Sequence, residues 1–391
     1  MNSPCPLRVG ICTTDNRDHW RKYDLPDPIF GPAITAVLEG FAEFPMEIEI
    51  HVLSVTQRCL SSPFRLAQNI FYHSLLVPKI GWLRTGYQGC IRAVHAKAKG
   101  LHLDLVHGQG TERDCGMEAV FSGCQNLLTL HGNMRAVAKA LRARPFSYHW
   151  FHALLEGLVI KKTRVVLCNS TYTENLVRPL NSNVIRMPNA VRKVFYDPMP
   201  YSSYQPPRQL RFLVVGLSPY KQPLEILRAL RLWRQGAHPS FRCLWIGVLS
   251  ENNDYSRAFT HELNVARAEG WSEYRSGLSA EKLRDAMDQA DVLIHIPTEE
   301  AFGLVVVEAM LRGLQIVAGR TGGVNDFENI YPAIWMVDPK KTADWLVALR
   351  SVAGRSFSRV PRECWDFMTF HPKTIAHRHF QVYRQVLKLP L

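Results

Sequence analysis

The chain has 391 residues, 47% of them hydrophobic, with glycine and proline scattered throughout, and this composition predicts two globular domains and argues against disorder. Nine cysteines, an odd number without a CxxC pair, argue against a disulfide framework and a zinc site, so we expect no metal. The formal net charge of +13 predicts an acidic partner, namely nucleic acid, an anionic membrane surface or a phosphorylated ligand.

Neither a membrane-spanning segment nor a signal peptide is predicted. No run of eighteen apolar residues occurs, and the sequence MNSPCPLRVGICTTD lacks a charged segment followed by an apolar one. We therefore expect a cytoplasmic protein.

Apolar strands alternate with helical stretches along the whole chain. The first strand is predicted at Leu7–Cys12, followed by a polar loop and a helix from about Ala33 to Phe44. Further strands of the first domain are predicted at 49–55, 103–108, 126–132, 164–170 and 183–189. The alternation restarts with strands at 210–216, 242–248, 291–297, 314–319 and 333–338. This order predicts an α/β fold of two doubly wound domains, whose ligands bind at the carboxyl ends of the strands.

A stretch rich in proline and polar residues separates the two domains. We predict a first domain over 1–192, a linker over 193–209 and a second domain over 210–370. The closing segment, 371–391, has the apolar spacing of an amphipathic helix.

The first domain contains a long window with positive charge only. No Asp or Glu occurs from His51 to Leu103, whereas seven Lys and Arg residues do, among aromatic and aliphatic residues. This stretch, 51–103, suits an amphipathic surface that lies on anionic lipid. The alternative is a solvated basic face over ordinary core residues. A second basic cluster between Arg135 and Arg164 enlarges the positive face, and no nucleic-acid motif accompanies these charges, so we predict no nucleic-acid partner.

The segment 297–327 reads as the turn, helix and second strand of a βαβ unit. Backbone N–H groups at the start of such a helix, together with the helix dipole, form a site for a phosphate. Glu300 precedes the predicted helix, and Glu308 lies on the order of 10 Å further along its axis. We therefore predict a long ligand with phosphate in its middle. A glycoside-hydrolase pair of carboxylates is a poor alternative, because both would point along one helix.

The sequence from Glu300 to Met310, EAFGLVVVEAM, resembles the motif of the retaining nucleotide-sugar glycosyltransferases of the GT-B fold, most closely glycosyltransferase family 4, or glycosyl transferases group 1. Further similar segments are LHG at 130–132, CNSTYT at 168–173, MPNAV at 187–191 and the glycine pair at 322–323. The resemblance implies two Rossmann-like domains facing across a cleft, with the helix at 371–391 crossing back onto the first domain. It also implies sugar transfer with retention of configuration, without a metal or a cofactor.

Candidate site residues follow from this resemblance and from positions beside predicted strands and turns. The residues implied in catalysis are Glu300, His131 and Lys221. Those expected to bind the donor are Glu308, Phe302, Gly303, Leu304, Val305, Gly216, Gly31, Arg320, Gly322 and Gly323. The residues expected on the acceptor side are His107, Gln109 and Asn133.

The chain departs from the family pattern at the start of the second domain. The family has VGRL and then KG, where the Arg and Lys neutralise the donor diphosphate, whereas this chain has VGLSPYKQ at 215–222. Lys221 is kept, but the arginine is missing before Leu217, and Gln222 stands in place of the glycine. We hypothesise that Arg320, beside the glycine pair, replaces the missing charge.

The resemblance implies transfer of a sugar from a nucleotide-diphosphate-sugar donor to a hydroxyl of a glycan or lipid-linked acceptor. We expect a role in cell-surface polysaccharide, lipopolysaccharide or glycolipid biosynthesis, with the 51–103 stretch holding the protein peripherally at the inner membrane face. Two alternatives stay open. They are a nucleotide-sugar epimerase of the same fold and a non-catalytic scaffold that binds sugar nucleotides.

Overall fold

The computed structural model describes residues 6–198, 209–236, 240–249, 253–353 and 359–389. Most of the predicted linker lies outside the described residues. The chain divides into two compact units, the first formed by residues up to Arg192 together with those from Thr369 onward, and the second running from Lys193 to Met368. Each unit is an α/β layer structure, so the predicted fold class is confirmed.

The sheet of the first unit has eight strands in the order β3-β4-β2-β1-β5-β6-β7-β8. Its strands are β1 (Leu7–Cys12), β2 (Ile48–Thr56), β3 (Arg65–Ala67), β4 (Ile70–Leu76), β5 (Leu105–Gln109), β6 (Gln125–Leu130), β7 (Val165–Cys168) and β8 (Val184–Arg186). All neighbours pair in parallel except β3 with β4. The helices before the second unit are α1 (Asn16–Trp20), α2 (Pro32–Phe41), α3 (Gln88–Gly100), α4 (Cys115–Val120), α5 (Met134–Ala140), α6 (Tyr148–Lys162) and α7 (Thr171–Val177).

The sheet of the second unit has six parallel strands in the order β11-β10-β9-β12-β13-β14. They are β9 (Leu210–Val215), β10 (Phe241–Ile246), β11 (Ser272–Arg275), β12 (Val292–His295), β13 (Gln315–Gly319) and β14 (Ile334–Val337). The helices are α8 (Pro223–Gln235), α9 (Asp254–Ala268), α10 (Ala280–Gln289), α11 (Leu304–Leu311) and α12 (Thr342–Ala353), and α13 (Pro372–Val386) follows in the first unit. The central strands β9, β12 and β13 are largely apolar and buried, as expected where helices cover both faces of a parallel sheet.

Three strands were missed by the sequence analysis. β3 and β4 lie inside the basic window. That window was interpreted by its charges alone, and the uncharged segment Asn69–Val77, which contains β4, was not recognised as a strand. β11, with the sequence SEYR, is a short polar strand at a sheet edge and has no apolar run to reveal it. The predicted first helix was also too long, since it ends at Phe41, before Pro45 turns the chain away.

The C-terminal helix α13 packs on α2, as predicted. The ring of Tyr383 stacks on Phe41 with centroids 6.0 Å apart. Gly40 of α2 lies directly against Pro372, and a Cβ built at Gly40 would be 2.1 Å from the backbone oxygen of Pro372. This helix pair therefore depends on a glycine.

We also searched the described helices for a membrane span. None of them combines the length and the apolar character that crossing a bilayer requires.

Candidate functional site

The candidate site of the second unit lies where the order of its strands reverses. β9 is flanked by β10 on one side and β12 on the other, so the loops that follow β9 and β12 leave the sheet side by side. A hydrogen bond of 2.7 Å from the Thr298 N–H to the Tyr220 carbonyl joins these two loops. One loop carries Lys221 and the other Glu300, and the Lys221 Nζ lies 3.9 Å from the Glu300 Oε2.

Glu300 is held as a carboxylate by three groups of its own unit. The Nε2 of His295 lies 3.2 Å from the Glu300 Oε2, and the backbone N–H of Phe302 also donates to this carboxylate. Burial alone would raise the pKa of Glu300, but the hydrogen bond from His295, the charge of Lys221 and the Phe302 N–H outweigh it and lower the pKa to about 2. Glu300 therefore carries no proton at neutral pH and can only accept hydrogen bonds.

His295 was missed by the sequence analysis. It is the last residue of β12 and is buried, and burial lowers its pKa even though Glu300 acts in the opposite direction. The neutral imidazole of His295 thus holds the Glu300 carboxylate in place through a hydrogen bond. A histidine that ends an apolar strand five residues before Glu300 was the available signal in the sequence.

Lys221 reaches Glu300 because Gly216 has no side chain. Gly216 has φ 87°, which disfavours other residues, and a Cβ there would lie 2.7 Å from the Cδ of Lys221. Gln222, which stands where the family has glycine, also adopts a left-handed conformation, with φ 56°. Its side-chain amide donates hydrogen bonds to the carbonyls of Ile296 (2.8 Å) and Pro339 (3.1 Å), which helps to hold this unfavourable backbone and fixes the loop that carries Lys221.

The start of α11 is shaped by glycines. Gly303 precedes the helix with φ 89°, and Val324 would lie 3.0 Å from a Cβ at that position. Gly323 donates its N–H to the carbonyl of Glu300 over 2.9 Å, which ties the glycine pair to the same loop. Phe302 packs edge-on against Phe327, so it can contribute backbone rather than its ring to a ligand. The helix begins at Leu304, and because the N–H groups in the first turn of an α-helix have no partner within the helix, such a terminus can hold an anion.

Two further predicted donor residues differ in exposure. Glu308 is on α11 and is buried among apolar neighbours. Arg320 is exposed and forms a two-pronged ion pair with Glu328. Leu217, before which the family's arginine is missing, is buried in the core of the unit. The geometry therefore places Lys221 beside Glu300 and places Arg320 with a different carboxylate.

In the first unit, three of the predicted residues form one hydrogen-bonded chain. The Nε2 of His131 lies 2.9 Å from the Gln109 Oε1, and because a carboxamide oxygen only accepts, this nitrogen donates. The amide nitrogen of Gln109 lies 3.3 Å from the Nδ1 of His107. Burial lowers the pKa of His131 to about 4, against a hydrogen bond to Asn189 that acts to raise it. His131 is therefore neutral and suited to hydrogen-bonding an uncharged hydroxyl.

His107 and Asn133 lie in the interior rather than at an open surface. His107 is fully buried, with its ring nitrogens 2.8 Å from the Tyr383 hydroxyl and the Thr129 hydroxyl. Asn133 donates to the hydroxyl of Thr173 over 3.2 Å. Both side chains thus organise the first unit, and Gln109 is the one that links His107 to His131. Gly31, at the start of α2, has nothing within 4 Å of a built Cβ, which leaves space that a ligand can occupy.

A second carboxyl was missed by the sequence analysis. The side chain of Glu112 is seated against Gly110 and Gly132, whose built Cβ atoms would lie 2.1 Å and 2.6 Å from its oxygens. Burial raises the pKa of Glu112 to about 7, against backbone hydrogen bonds that include the N–H of Gly132. Glu112 follows the end of β5, and it contacts Gly132, which comes directly after His131 at the end of β6. A carboxyl group with a pKa near neutrality is of the kind that can exchange a proton with a hydroxyl.

The titration of the buried histidines gives a testable pH dependence. Burial lowers the pKa of His379, on α13, to about 4, whereas an unfolded histidine titrates near 6.5. The unfolded chain therefore binds the proton first, and this residue's contribution to stability is lost as the pH falls from about 6.5 to 4. We expect the destabilisation caused by His379→Gln to shrink by about 2 kcal/mol between pH 7 and pH 5.

Urea unfolding of the wild type and His379→Gln at both pH values measures this difference. The exposed histidine His377, on the same helix, supplies the control, since His377→Gln should change the unfolding free energy by less than about 0.5 kcal/mol. An equal cost of His379→Gln at pH 7 and pH 5 would contradict the assigned shift.

One group of side chains among the described residues has the composition of a metal site. Possible ligand atoms of Cys90, Asp114 and Glu118 all lie within 4.8 Å of one another, and all three residues are buried. Burial raises the pKa of the Cys90 thiol and of the Glu118 carboxyl. These shifts favour protonated groups, whereas metal ligands must be deprotonated. The raised pKa values of Cys90 and Glu118 therefore oppose metal binding at this cluster, and independence from metal stays a prediction.

Comparison with known proteins gives matches in sequence and in fold. Residues 205–352 match the family described as glycosyl transferases group 1. A human GDP-Man:Man(3)GlcNAc(2)-PP-Dol alpha-1,2-mannosyltransferase is 26% identical over 189 residues, which are 45% of this chain and 38% of that protein. The chain thus matches well under two thirds of this relative's length.

Solved structures match over nearly the whole chain. Sucrose-phosphate synthase from Thermosynechococcus elongatus has a TM-score of 0.74 at 16% identity, over 98% of this chain and 99% of that one. HepE from Anabaena, in complex with UDP and glucose, has a TM-score of 0.66 at 13% identity, over 98% of both chains. Residues 205–352, less than half of the chain, therefore match the glycosyl transferases group 1 family, and the fold of the chain is GT-B.

Proposed function

We propose that the protein is a retaining glycosyltransferase that moves a sugar from a nucleotide-diphosphate-sugar donor to a hydroxyl of a glycan or lipid-linked acceptor. The observation that carries this proposal is the joining of Lys221, Glu300 and the start of α11 at the strand-reversal point of the second unit. A cation, a carboxylate and free helix N–H groups suit a ligand that has sugar hydroxyls next to phosphates.

Electrostatics supplies the main catalytic effect in this proposal. When the bond between sugar and diphosphate breaks, negative charge gathers on the leaving phosphate. Lys221 and the N–H groups at Leu304 and Val305 are fixed in place before the reaction and stabilise that charge. The leaving phosphate oxygen then accepts the proton of the attacking hydroxyl.

The protonation states support transfer over glycoside hydrolysis. A hydrolase of the common kind needs a carboxylic acid with a raised pKa to protonate the leaving oxygen. The pKa of Glu300 is lowered to about 2, so Glu300 can bind donor-sugar hydroxyls but has no proton to give. A diphosphate is a good leaving group and needs no such acid.

The comparisons support the substrate classes. HepE is described in complex with UDP and glucose, and the human relative is named for transfer from GDP-Man to a dolichol-linked glycan. From these names we infer for this protein a nucleoside diphosphate as the leaving group and a lipid-linked or free glycan as the acceptor. We place the reaction in cell-surface polysaccharide or glycolipid biosynthesis. A metal-independent reaction and a cytoplasmic site of action at the inner membrane face are parts of the same proposal.

Release of nucleoside diphosphate tests the function directly. The full chain is incubated with a panel of UDP-, GDP- and ADP-sugars, with and without lipid-linked glycans, in the presence of a chelator. Acceptor-dependent release is expected, with a product of unchanged anomeric configuration by NMR. Isomerised sugar without acceptor would instead indicate an epimerase, and binding without turnover would indicate a scaffold. The Glu300→Gln variant, which keeps the shape of the side chain, is the matched inactive control.

A further inference from the structure

The helix α6 has apolar side chains on both of its sides. One side packs into the core of the first unit through residues such as Val159 and Ile160. On the opposite side Phe151, Leu154 and Leu158 are 38%, 54% and 38% exposed. Their spacing of three and four residues places them in a single stripe along the helix. The helix thus exposes an apolar stripe on the side that does not face the core.

The segment before α6 extends the same apolar stripe. Phe146 is 79% exposed, and its ring lies 5.3 Å from Trp150 and 6.4 Å from Phe151, centroid to centroid. Phe146 also has φ 65°, a conformation that is unfavourable for a bulky residue. Leu141, at the end of α5, is exposed as well. The strained backbone thus presents an aromatic side chain to solvent instead of burying it.

The sequence segment that carries this stripe is rich in positive charge and poor in negative charge. Between Glu118 and Glu174 the sequence has one carboxylate, Glu156, which is buried and accepts hydrogen bonds from the Thr111 hydroxyl and from the N–H groups of Met134 and Arg135. The exposed cations of the segment are Arg135, Lys139, Arg142, Arg144, Lys161, Lys162 and Arg164. We call Leu141, Phe146, Phe151, Leu154 and Leu158, with these cations, the α6 face.

We propose that the α6 face docks the protein on an anionic lipid bilayer. Large apolar side chains enter the boundary between headgroups and acyl chains, while Lys and Arg around them bind the anionic headgroups. The absence of exposed carboxylates fits a partner that is negative throughout. Protruding Phe and Leu side chains fit an acyl layer and have no counterpart in a phosphate backbone. Lipid binding is a property separate from sugar transfer, and it can be measured without a sugar donor or an acceptor.

The basic stretch 51–103 is the competing surface. Tyr72 and Trp82 are buried in the core. Phe64, Leu76 and Ile80 are exposed, but they lie on separate short segments, and the Phe64 ring packs against Phe71 and His73 of the neighbouring strand. This stretch therefore lacks a single helical stripe of the kind on α6.

Flotation with vesicles compares the two surfaces. Vesicles of phosphatidylcholine alone and of an equal mixture with phosphatidylglycerol are floated with the wild type and three triple variants. The apolar α6 variant combines Phe151→Ser, Leu154→Ser and Leu158→Ser. The charge variant combines Lys139→Ser, Arg142→Ser and Arg144→Ser. The matched control variant, in the 51–103 stretch, combines Phe64→Ser, Leu76→Ser and Ile80→Ser. All nine positions are exposed, so unchanged circular dichroism and thermal midpoints are expected and are checked first.

The wild type should float with the anionic vesicles and less so as salt rises. The apolar α6 variant should lose at least about tenfold in apparent affinity and the charge variant about a hundredfold, whereas the control should stay within about threefold. No flotation of the wild type at low salt would overturn the proposal. So would loss of binding confined to the control variant, or a wild-type dimer by light scattering that the apolar α6 variant converts to a monomer, which would make this face an interface between copies.

Discussion

Replacing Lys221 with methionine should lower acceptor-dependent release of nucleoside diphosphate by about a hundredfold or more, whereas Arg320→Met should change it by less than about threefold. The Nζ of Lys221 lies 3.9 Å from Glu300, beside the start of α11, where the proposed diphosphate binds. Methionine keeps the length of the side chain and removes its charge.

The contrast between the two cations rests on their partners. Both terminal guanidinium nitrogens of Arg320 donate to the carboxylate of Glu328, so a new ligand would have to compete with this ion pair. The arginine of the family pattern is missing before Leu217, which is buried in the core of the unit. We therefore propose that Lys221 alone supplies the phosphate contact that the resemblance implies for two residues.

Binding and chemistry are separated by two measurements. Thermal shift with UDP and GDP reports donor affinity, since ligand binding raises apparent stability with the logarithm of saturation. Steady-state kinetics then shows whether kcat or KM changes. A loss for Arg320→Met as large as that for Lys221→Met would contradict this assignment and support the hypothesis that Arg320 replaces the missing arginine.

The α/β architecture was predictable because long buried strands leave a strong mark on the sequence. β1 and β9 are apolar except for one arginine each, as strands buried in a parallel sheet require, and both were predicted. β3 and β11 are short and lie at sheet edges, where fewer residues are buried and the apolar signal is weak. The missed strands are thus these two edge strands and β4, which pairs with β3 inside the basic window.

The candidate site was predictable where its parts are close in sequence. Glu300 and the start of α11 belong to one motif, and their geometry follows from the local turn at Gly303. Two other contacts arise only when the chain is folded. They are the hydrogen bond between His295 and Glu300 and the packing of Glu112 against two glycines. For His107 the sequence was misleading. Its position at the end of a strand suggested a contact with the ligand, but its ring is hydrogen-bonded to Tyr383 of α13, 276 residues away in the sequence.

The contact between α2 and α13 should be the most sensitive packing site in the first unit. Gly40→Ala is expected to cost about 3 kcal/mol of unfolding free energy, because its Cβ would lie 2.1 Å from the Pro372 oxygen and 2.8 Å from the Cβ of Ala376. Backbone atoms cannot move aside as a flexible side chain would. The helices must separate, which weakens the packing of Tyr383 on Phe41 and its contact with His107.

Gly157→Ala is the matched control, since Gly157 also lies within a helix but has nothing within 4 Å of a built Cβ. There the gain in helix propensity should raise stability by up to about 1 kcal/mol. Urea unfolding gives both free energies, and hydrogen exchange of α13 shows whether this helix is released in Gly40→Ala. Equal effects of the two substitutions would mean that α13 does not press on α2 at Gly40. Opposite signs, with faster exchange confined to α13 and its partners, would establish that this glycine holds the end of the chain on the first unit.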